Sequence, residues 1–340
     1  MKLNQLILES PVILFLGAGA SQPLGKPTMQ PFVTDILSKI ADQQGHLAHL
    51  ATVCENDLEK ILDEIDSICS LKYGDTVSTF RSGSYINFTI EQAEGLRTQI
   101  QYQIIQQYSS VAGKAVSDLY ESLFETIFSK IDSERYCLPI FTTNYDPAIE
   151  TFCTENSDKY ELIDGFRHIY AAREYQWDAD IFHGFNLKPN KRNIVLFKMH
   201  GSVDWVLAKK RGIIIRTPPF HQMIDSASYR NILIYPATRK VAMNDPYFTA
   251  YDYYGRCSEH ARLLLTIGYS FRDYDALTRL KSAALFNSKL DLALLAPDAE
   301  AVLSGLPFLS EKFAALPFAF GGPKLSEYLQ LVSGLIEESQ

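Results

Sequence analysis

The 340-residue chain has no C-x-x-C pair, and its five cysteines, Cys54, Cys69, Cys137, Cys153 and Cys257, are odd in number and widely spaced. That excludes a regular disulfide framework and the common thiolate zinc modules, so no metal is expected and the cysteines read as small buried apolar residues. There is no uninterrupted apolar stretch of the roughly 18 residues a membrane helix needs. The N-terminal apolar segment is broken at Gly17 too soon for a signal peptide, so a cytoplasmic protein away from membranes is expected. Positive charge is in short supply. The 32 Lys and Arg against 40 Asp and Glu leave a net charge of −8, which argues against a surface that grips nucleic-acid phosphates unaided. Internal repeats, low-complexity tails and proline-rich linkers are also lacking, so residues 1–340 read as one domain.

What the chain does have is a series of short apolar runs bounded by turn residues: VILFLG (12–17), LPIFTTN (138–144), IVLFKMHG (194–201), NILIYP (231–236), RLLLTIGYS (262–270) and LDLALLAP (290–297). They are nearly continuous in apolar character rather than alternating, as strands buried on both faces of a parallel sheet are. Helical patterns separate several of them. The expected class is therefore α/β, a Rossmann-like doubly wound, mainly parallel sheet.

Residues 30–135 contain no convincing strand but three helical patterns, at 55–71, 91–108 and 118–131, and read as a helical insertion packed on the sheet. Residues 299–340 read as a C-terminal helical tail, dominated by LSEYLQLVSGLIEE (325–338). The insertion is either a partner or oligomer contact or a passive cover.

In doubly wound sheets ligands sit outside the carboxyl ends of the strands, so the polar residues that follow each run deserve inspection. The first run ends in Gly17-Ala18-Gly19-Ala20-Ser21, with Gly25-Lys26-Pro27-Thr28 beyond. Glycines there let backbone approach a pyrophosphate, with the next helix turning free N–H groups toward it. The third glycine of the dinucleotide fingerprint is replaced by Gln22, and no acidic residue ends a second strand at the expected distance, which disfavours a standard dehydrogenase. The second run ends in Thr142-Thr143-Asn144-Tyr145-Asp146, the third in His200-Gly201-Ser202, and the fifth in Gly268-Tyr269-Ser270-Phe271-Arg272-Asp273. Each has a plain structural explanation: a helix cap, a satisfied core histidine, one more turn. Their joint occurrence at strand ends, in this order, is hard to obtain by accident.

GAGAS with a following G-x-P-T, then T-x-N-Y-D, K-M-H-G-S-x-D-W and I-G-Y-S-F-R-D resembles the SIR2-like (sirtuin-type) NAD-binding domain family, in its bacterial anti-phage defence branch. The supporting stretch ILIYPATRK is similar as well, and the resemblance spans about residues 10–298. It implies that Gly17, Ala18, Gly19, Ala20 and Ser21 line a pyrophosphate, and that Pro27 and Thr28 lie in a loop closing over NAD. It implies also that Thr143 is among the residues binding NAD, that Asn144 and Asp146 stand near the nicotinamide-side ribose, that His200 is the catalytic histidine, and that Gly268 and Ser270 contact phosphate and the adenosine-side ribose. The deacylating sirtuins' zinc module, with its two C-x-x-C pairs, has no counterpart here, which leaves a pocket for NAD and nothing evident to present an acyl-lysine peptide.

The resemblance therefore implies an NAD⁺ hydrolase that takes NAD as substrate, yields ADP-ribose and nicotinamide, and depletes NAD as an abortive-infection effector. Control by homo-oligomerisation or a separately encoded partner, an ATPase or a nucleotide-processing protein, is expected. In such a site Asn144 orients a water and His200, a residue type that exchanges protons near neutral pH, accepts one; Asp146 stabilises charge or holds its loop. The alternative is a non-catalytic NAD- or ADP-ribose-binding regulatory subunit.

Other candidates carry less. His183-Gly184 mimics the His200 pair without its context, and His46 and His49 have a metal-compatible spacing but read as solvated helix residues. Tyr247, Tyr251, Tyr253 and Tyr254 read as packing or an interface, and 271–275 as a salt-bridged helix start.

Overall fold

In the computed structural model, residues 2–40, 45–69, 76–79, 85–132, 135–184, 187–188, 190–219, 225, 227–233, 244–306, 308 and 313–339 are described. Five of the six apolar runs become strands of one seven-stranded parallel sheet: β1 (Val12–Leu16), β4 (Leu138–Thr142), β8 (Arg192–Lys198), β12 (Leu263–Ile267) and β13 (Asp291–Leu295). Two edge strands complete it, β5 (Tyr160–Ile163) and β14 (Phe313–Leu316), in the order β14-β13-β12-β1-β4-β8-β5. β1 pairs along its whole length with Leu263–Ile267 and, from Leu14, with β4.

The reason for the near-continuous hydrophobicity is visible in how each strand divides its side chains. Leu14, Leu16, Ile140, Leu196 and Leu265 enter a core shared with the helices Gly113–Lys130, Ala148–Glu155 and Leu325–Ser339. Phe15, Phe141, Phe197 and Leu264 enter a second core on the opposite face, shared with the helices Tyr247–His260 and Tyr274–Phe286. With a side-chain period of two and both faces covered, the central strands are apolar through their middles, and their buried polar residues, Thr142, Asn193, Lys198 and Thr266, stand at or next to strand ends.

The chain lays β4, β5 and β8 on one side of β1, then crosses back to build β12, β13 and β14 on the other. The reversal at β1 opens a crevice at the carboxyl ends of β12, β1, β4 and β8, where α/β sheets place their ligands.

The stretch 30–135 is not one layer. The helix Gly113–Lys130 packs on the sheet, but the helices Met29–Lys39, His46–Val53, Leu58–Cys69 and Ile90–Tyr108 share a separate core, into which Val203 and the ring of Tyr145 reach from the strand ends. Nor is it wholly helical: β2 (Thr76–Thr79) and β3 (Tyr85–Thr89) pair as antiparallel strands. The glutamine-rich helix Ile90–Tyr108 starts at a capping box, Thr89 Oγ accepting from the Gln92 N–H and the Gln92 side chain accepting from the Thr89 N–H, and buries Ala93, Leu96, Ile100 and Ile104. The tail 299–340 likewise contributes strand β14 as well as helix.

The remaining difference is a five-stranded antiparallel sheet, of order β11-β9-β10-β7-β6, that no apolar run announced: β6 (Phe166–Ile169), β7 (Glu174–Trp177), β9 (Trp205–Ala208), β10 (Ile213–Arg216) and β11 (Tyr229–Asn231). The run 231–236 therefore does not join the parallel sheet; its first residue ends β11, and 234–236, with most of ILIYPATRK, lie outside the described residues. These strands are short and, apart from β9, partly exposed, and Phe166 packs edge-on against Trp177 and tilted against Trp205 at centroid distances of 5.6 and 5.1 Å. No described helix is long and apolar enough to cross a membrane.

Candidate functional site

The loops after β1 and β12 interlock through glycine. A Cβ on Gly17 would lie 2.5 Å from the Gly268 carbonyl, one on Gly19 would lie 2.7 Å from Gly268 Cα, and one on Gly268, whose φ is +61°, would lie 2.4 Å from Gly19 Cα. The Gly17 N–H donates to Ile267 O and the Gly19 N–H to Gly268 O, each at 2.9 Å. Ala20 and Ser21 donate back into the same turn, and one-turn 3₁₀ segments at Ala18–Ala20 and Gln22–Leu24 stand where a helix pointing free N–H groups was expected. The glycines thus serve backbone-to-backbone packing of two loops, and of the turn's residues Ala18 is the exposed one.

Asn144 closes the next joint. Both protons of its Nδ2 are engaged, by Gly17 O and Ser21 Oγ at 2.9 Å each, while its own N–H donates to Thr142 Oγ, which donates in turn to Leu16 O. With Nδ2 fully used, the amide orientation is set and Oδ1 is left as an acceptor. Thr143 N–H donates to Leu16 O at 3.2 Å. Asp146 is buried; its Oδ1 accepts from the Ala148 N–H at 3.1 Å at the start of the helix Ala148–Glu155, and its Oδ2 has no hydrogen-bond partner.

Lys198, 2% exposed, straps this loop to the one after β8: its ammonium donates to Asp146 O at 2.7 Å, Ser202 Oγ at 2.9 Å and Glu150 Oε1 at 3.1 Å. Burial raises the Glu150 carboxyl above its ordinary range, against the opposing pull of Lys198. Asp204 of the same motif pairs with Arg216, which also holds Asp164 at 2.6 Å. Most of K-M-H-G-S-x-D-W is therefore scaffolding around its histidine.

His200 is 5% exposed in its side chain, and its Nε2 lies 3.0 Å from Oδ2 of Asp273. Tyr251, from the helix Tyr247–His260, donates to the same oxygen. Oδ1 of Asp273 accepts from the N–H groups of Asp275 and Ala276 at 2.9 and 3.1 Å and so caps the helix Tyr274–Phe286. Burial works to raise the Asp273 carboxyl, but the His200 hydrogen bond and charge, Tyr251 and the cap N–H outweigh it and hold the group below the usual carboxylate range. An ionised Asp273 makes Nε2 the protonated ring nitrogen and leaves Nδ1 as the acceptor.

The predicted residues therefore fall into two groups at one end of the sheet. Gly17, Ser21, Asn144 and Gly268 interlock, and His200 joins Asp273, which the sequence places at the end of the fifth run and in a helix start. Ser270 is exposed, while Pro27 and Thr28 sit in a loop fastened to the end of the Ile90–Tyr108 helix. There Tyr108 donates to Pro27 O at 2.8 Å and the Lys26 ammonium to Gln107 O at 2.7 Å. Burial draws that ammonium below the lysine range, against the carboxylate of Asp146. The space among Ser21, Asn144, Asp146 and Tyr120 is about 10 Å³, whereas a cavity of about 380 Å³ lies beside Pro147, Val203 and Arg216 and touches neither Asn144 nor His200. His183 is exposed; His46 is buried in the helix His46–Val53 rather than solvated. Among the described residues no group of three metal-ligating side chains is assembled, and four of the five free cysteines are buried.

Residues 139–304 match the family model of the SIR2-like domain. The matched stretch is similar to a SIR2-like domain. It begins inside β4 and so holds Asn144, Asp146, His200, Gly268, Ser270 and Asp273, with the 17–21 turn outside the matched range. Among solved structures, a mutant Sir2 homologue in complex with ADP-ribose aligns over 99% of this chain and 96% of that one, at 13% identity and a TM-score of 0.47. A Sir2 homologue–NAD complex aligns over 99% and 92%, at 14% and 0.43. No curated protein matches the chain.

Proposed function

We propose that the chain is an NAD⁺ hydrolase, cleaving the bond between nicotinamide and ribose to give ADP-ribose and nicotinamide. The observation that carries this reading is the complementary pair of acceptors left at the carboxyl ends of β4 and β8 in a SIR2-like domain: Oδ1 of an Asn144 whose amide is locked, and Nδ1 of a His200 whose other nitrogen faces a carboxylate. As the C–N bond breaks, positive charge develops on the ribose and nicotinamide leaves neutral. Water adds to the same carbon, oriented by Asn144, and its proton passes to His200. Asp146, with one carboxylate oxygen capping a helix and the other unpartnered, holds the loop and lends negative charge nearby.

The space enclosed among Ser21, Asn144, Asp146 and Tyr120 is about 10 Å³, room for about one water and not for a dinucleotide. That closure fits an enzyme held inactive until an oligomer or partner opens it, as an abortive-infection effector requires. The same closure is what favours the second reading, a regulatory subunit that binds NAD or ADP-ribose without turnover. The deciding experiment is nicotinamide release from NAD⁺ by the wild-type protein, alone and with the product of its neighbouring gene, beside His200→Ala and Asn144→Ala. Release abolished by both substitutions is the expected result. ADP-ribose binding with no release in either setting would leave the binding reading standing.

A further inference from the structure

We infer that Asp273 is the positioning residue of His200, fixing which ring nitrogen acts as the base; the rate predictions rest on the hydrolase reading, the ring geometry does not. His200 follows β8 and Asp273 follows β12, and these strands are separated in the sheet by β1 and β4, so the contact spans the top of the crevice. The two carboxylate oxygens of Asp273 divide their work. Oδ1 is anchored by two N–H groups at a helix start, which fixes the carboxylate plane, and Oδ2 is presented to His200 with Tyr251 as its second donor. Positive partial charge at the helix start and two side-chain donors keep the carboxylate ionised. An anion at this position accepts from Nε2–H, which pins the imidazole in the tautomer with a lone pair on Nδ1 and stabilises the imidazolium once Nδ1 has taken a proton.

The substitution Asp273→Asn separates this role from the structural one. Asparagine is as good a helix cap as aspartate, so its oxygen keeps the Asp275 and Ala276 N–H groups. Its amide then donates to Nε2, which forces the proton onto Nδ1 and removes the base. Long-range ¹H–¹⁵N correlation of the imidazole rings in the full-length protein reads the tautomer directly, with the His200 signals identified by their loss in His200→Ala. We expect Nε2 protonated in the wild type and Nδ1 protonated in Asp273→Asn, with kcat for nicotinamide release lowered at least about 100-fold and KM within about 3-fold. Tyr251→Phe, which leaves the carboxylate in place, should lower kcat less than about 10-fold. A wild-type His200 protonated on Nδ1, or an Asp273→Asn protein that keeps its proton on Nε2 and its kcat, overturns the assignment. The wild-type spectrum decides whether or not the variant folds. Absence of any nicotinamide release would strike the hydrolase reading and leave the tautomer measurement valid.

Discussion

Asn144 and His200 stand at the carboxyl ends of neighbouring strands, β4 and β8, and are held in different ways. Asn144 is neutral and ties its loop to backbone and hydroxyl oxygens of the β1 turn, on the side where Tyr120 closes the core. His200 is paired with a buried anion whose own place is set by a helix cap and a tyrosine from the opposite face. The amide needs only local partners, all within two adjacent loops. A buried charge needs compensation, and three separate elements supply it. The neutral group should therefore tolerate pH and isosteric change, and the ionic one should not.

The strongest break of that comparison is His200→Ala, expected to reduce nicotinamide release by about 10²–10⁴-fold, the range of a general base, with ADP-ribose binding retained by calorimetry. Lys198→Met should come next. It leaves Glu150 and Ser202 facing an uncompensated gap beneath both groups, and unfolding in urea should show a loss of about 3–5 kcal/mol. Gly268→Ala forces a Cβ into Gly19 at a left-handed φ and should cost about 2–4 kcal/mol by the same measurement.

The pH dependence separates the two groups most cleanly. The Asp273 carboxyl lies lower in the folded protein than in the unfolded chain, so its contribution is fully present above the unfolded value of about 3.9 and is lost as pH falls through the folded value. The melting midpoint of the wild type should therefore fall more steeply on acidification through this range than that of Asp273→Asn, while Asn144→Ser should leave the slope unchanged. The smallest effect belongs to Tyr108→Phe. Loss of its bond to Pro27 O should cost about 1 kcal/mol and raise proteolytic cleavage within residues 22–28.

Much of this site was legible because its residues follow strands that are themselves legible. A buried parallel strand must be largely apolar on both faces, so the polar residues that follow it stand out; Asn144 and His200 were singled out in that way. Asp273 also ends such a run but was given no part in the site, since a carboxylate before a helix is the commonest of caps, and its contact with His200 depends on that residue arriving from a strand three positions away in the sheet. Lys198 lay within the apolar run 194–201 and Tyr108 at the end of the helical pattern 91–108, and neither position by itself announces a cross-loop bond. The antiparallel sheet escaped for a related reason. Strands of three or four residues with one exposed face leave too little periodicity to detect.

The sequence alone determined the sheet class, the order of its polar strand ends and the set of glycines, because burial on two faces and the lack of a Cβ act on each segment locally. The tertiary structure decided what those glycines are for, which carboxylate serves the histidine, and how the first helices divide from the sheet. Those outcomes depend on which loops meet, and contacts between segments hundreds of residues apart are set by packing of the whole core rather than by any one run.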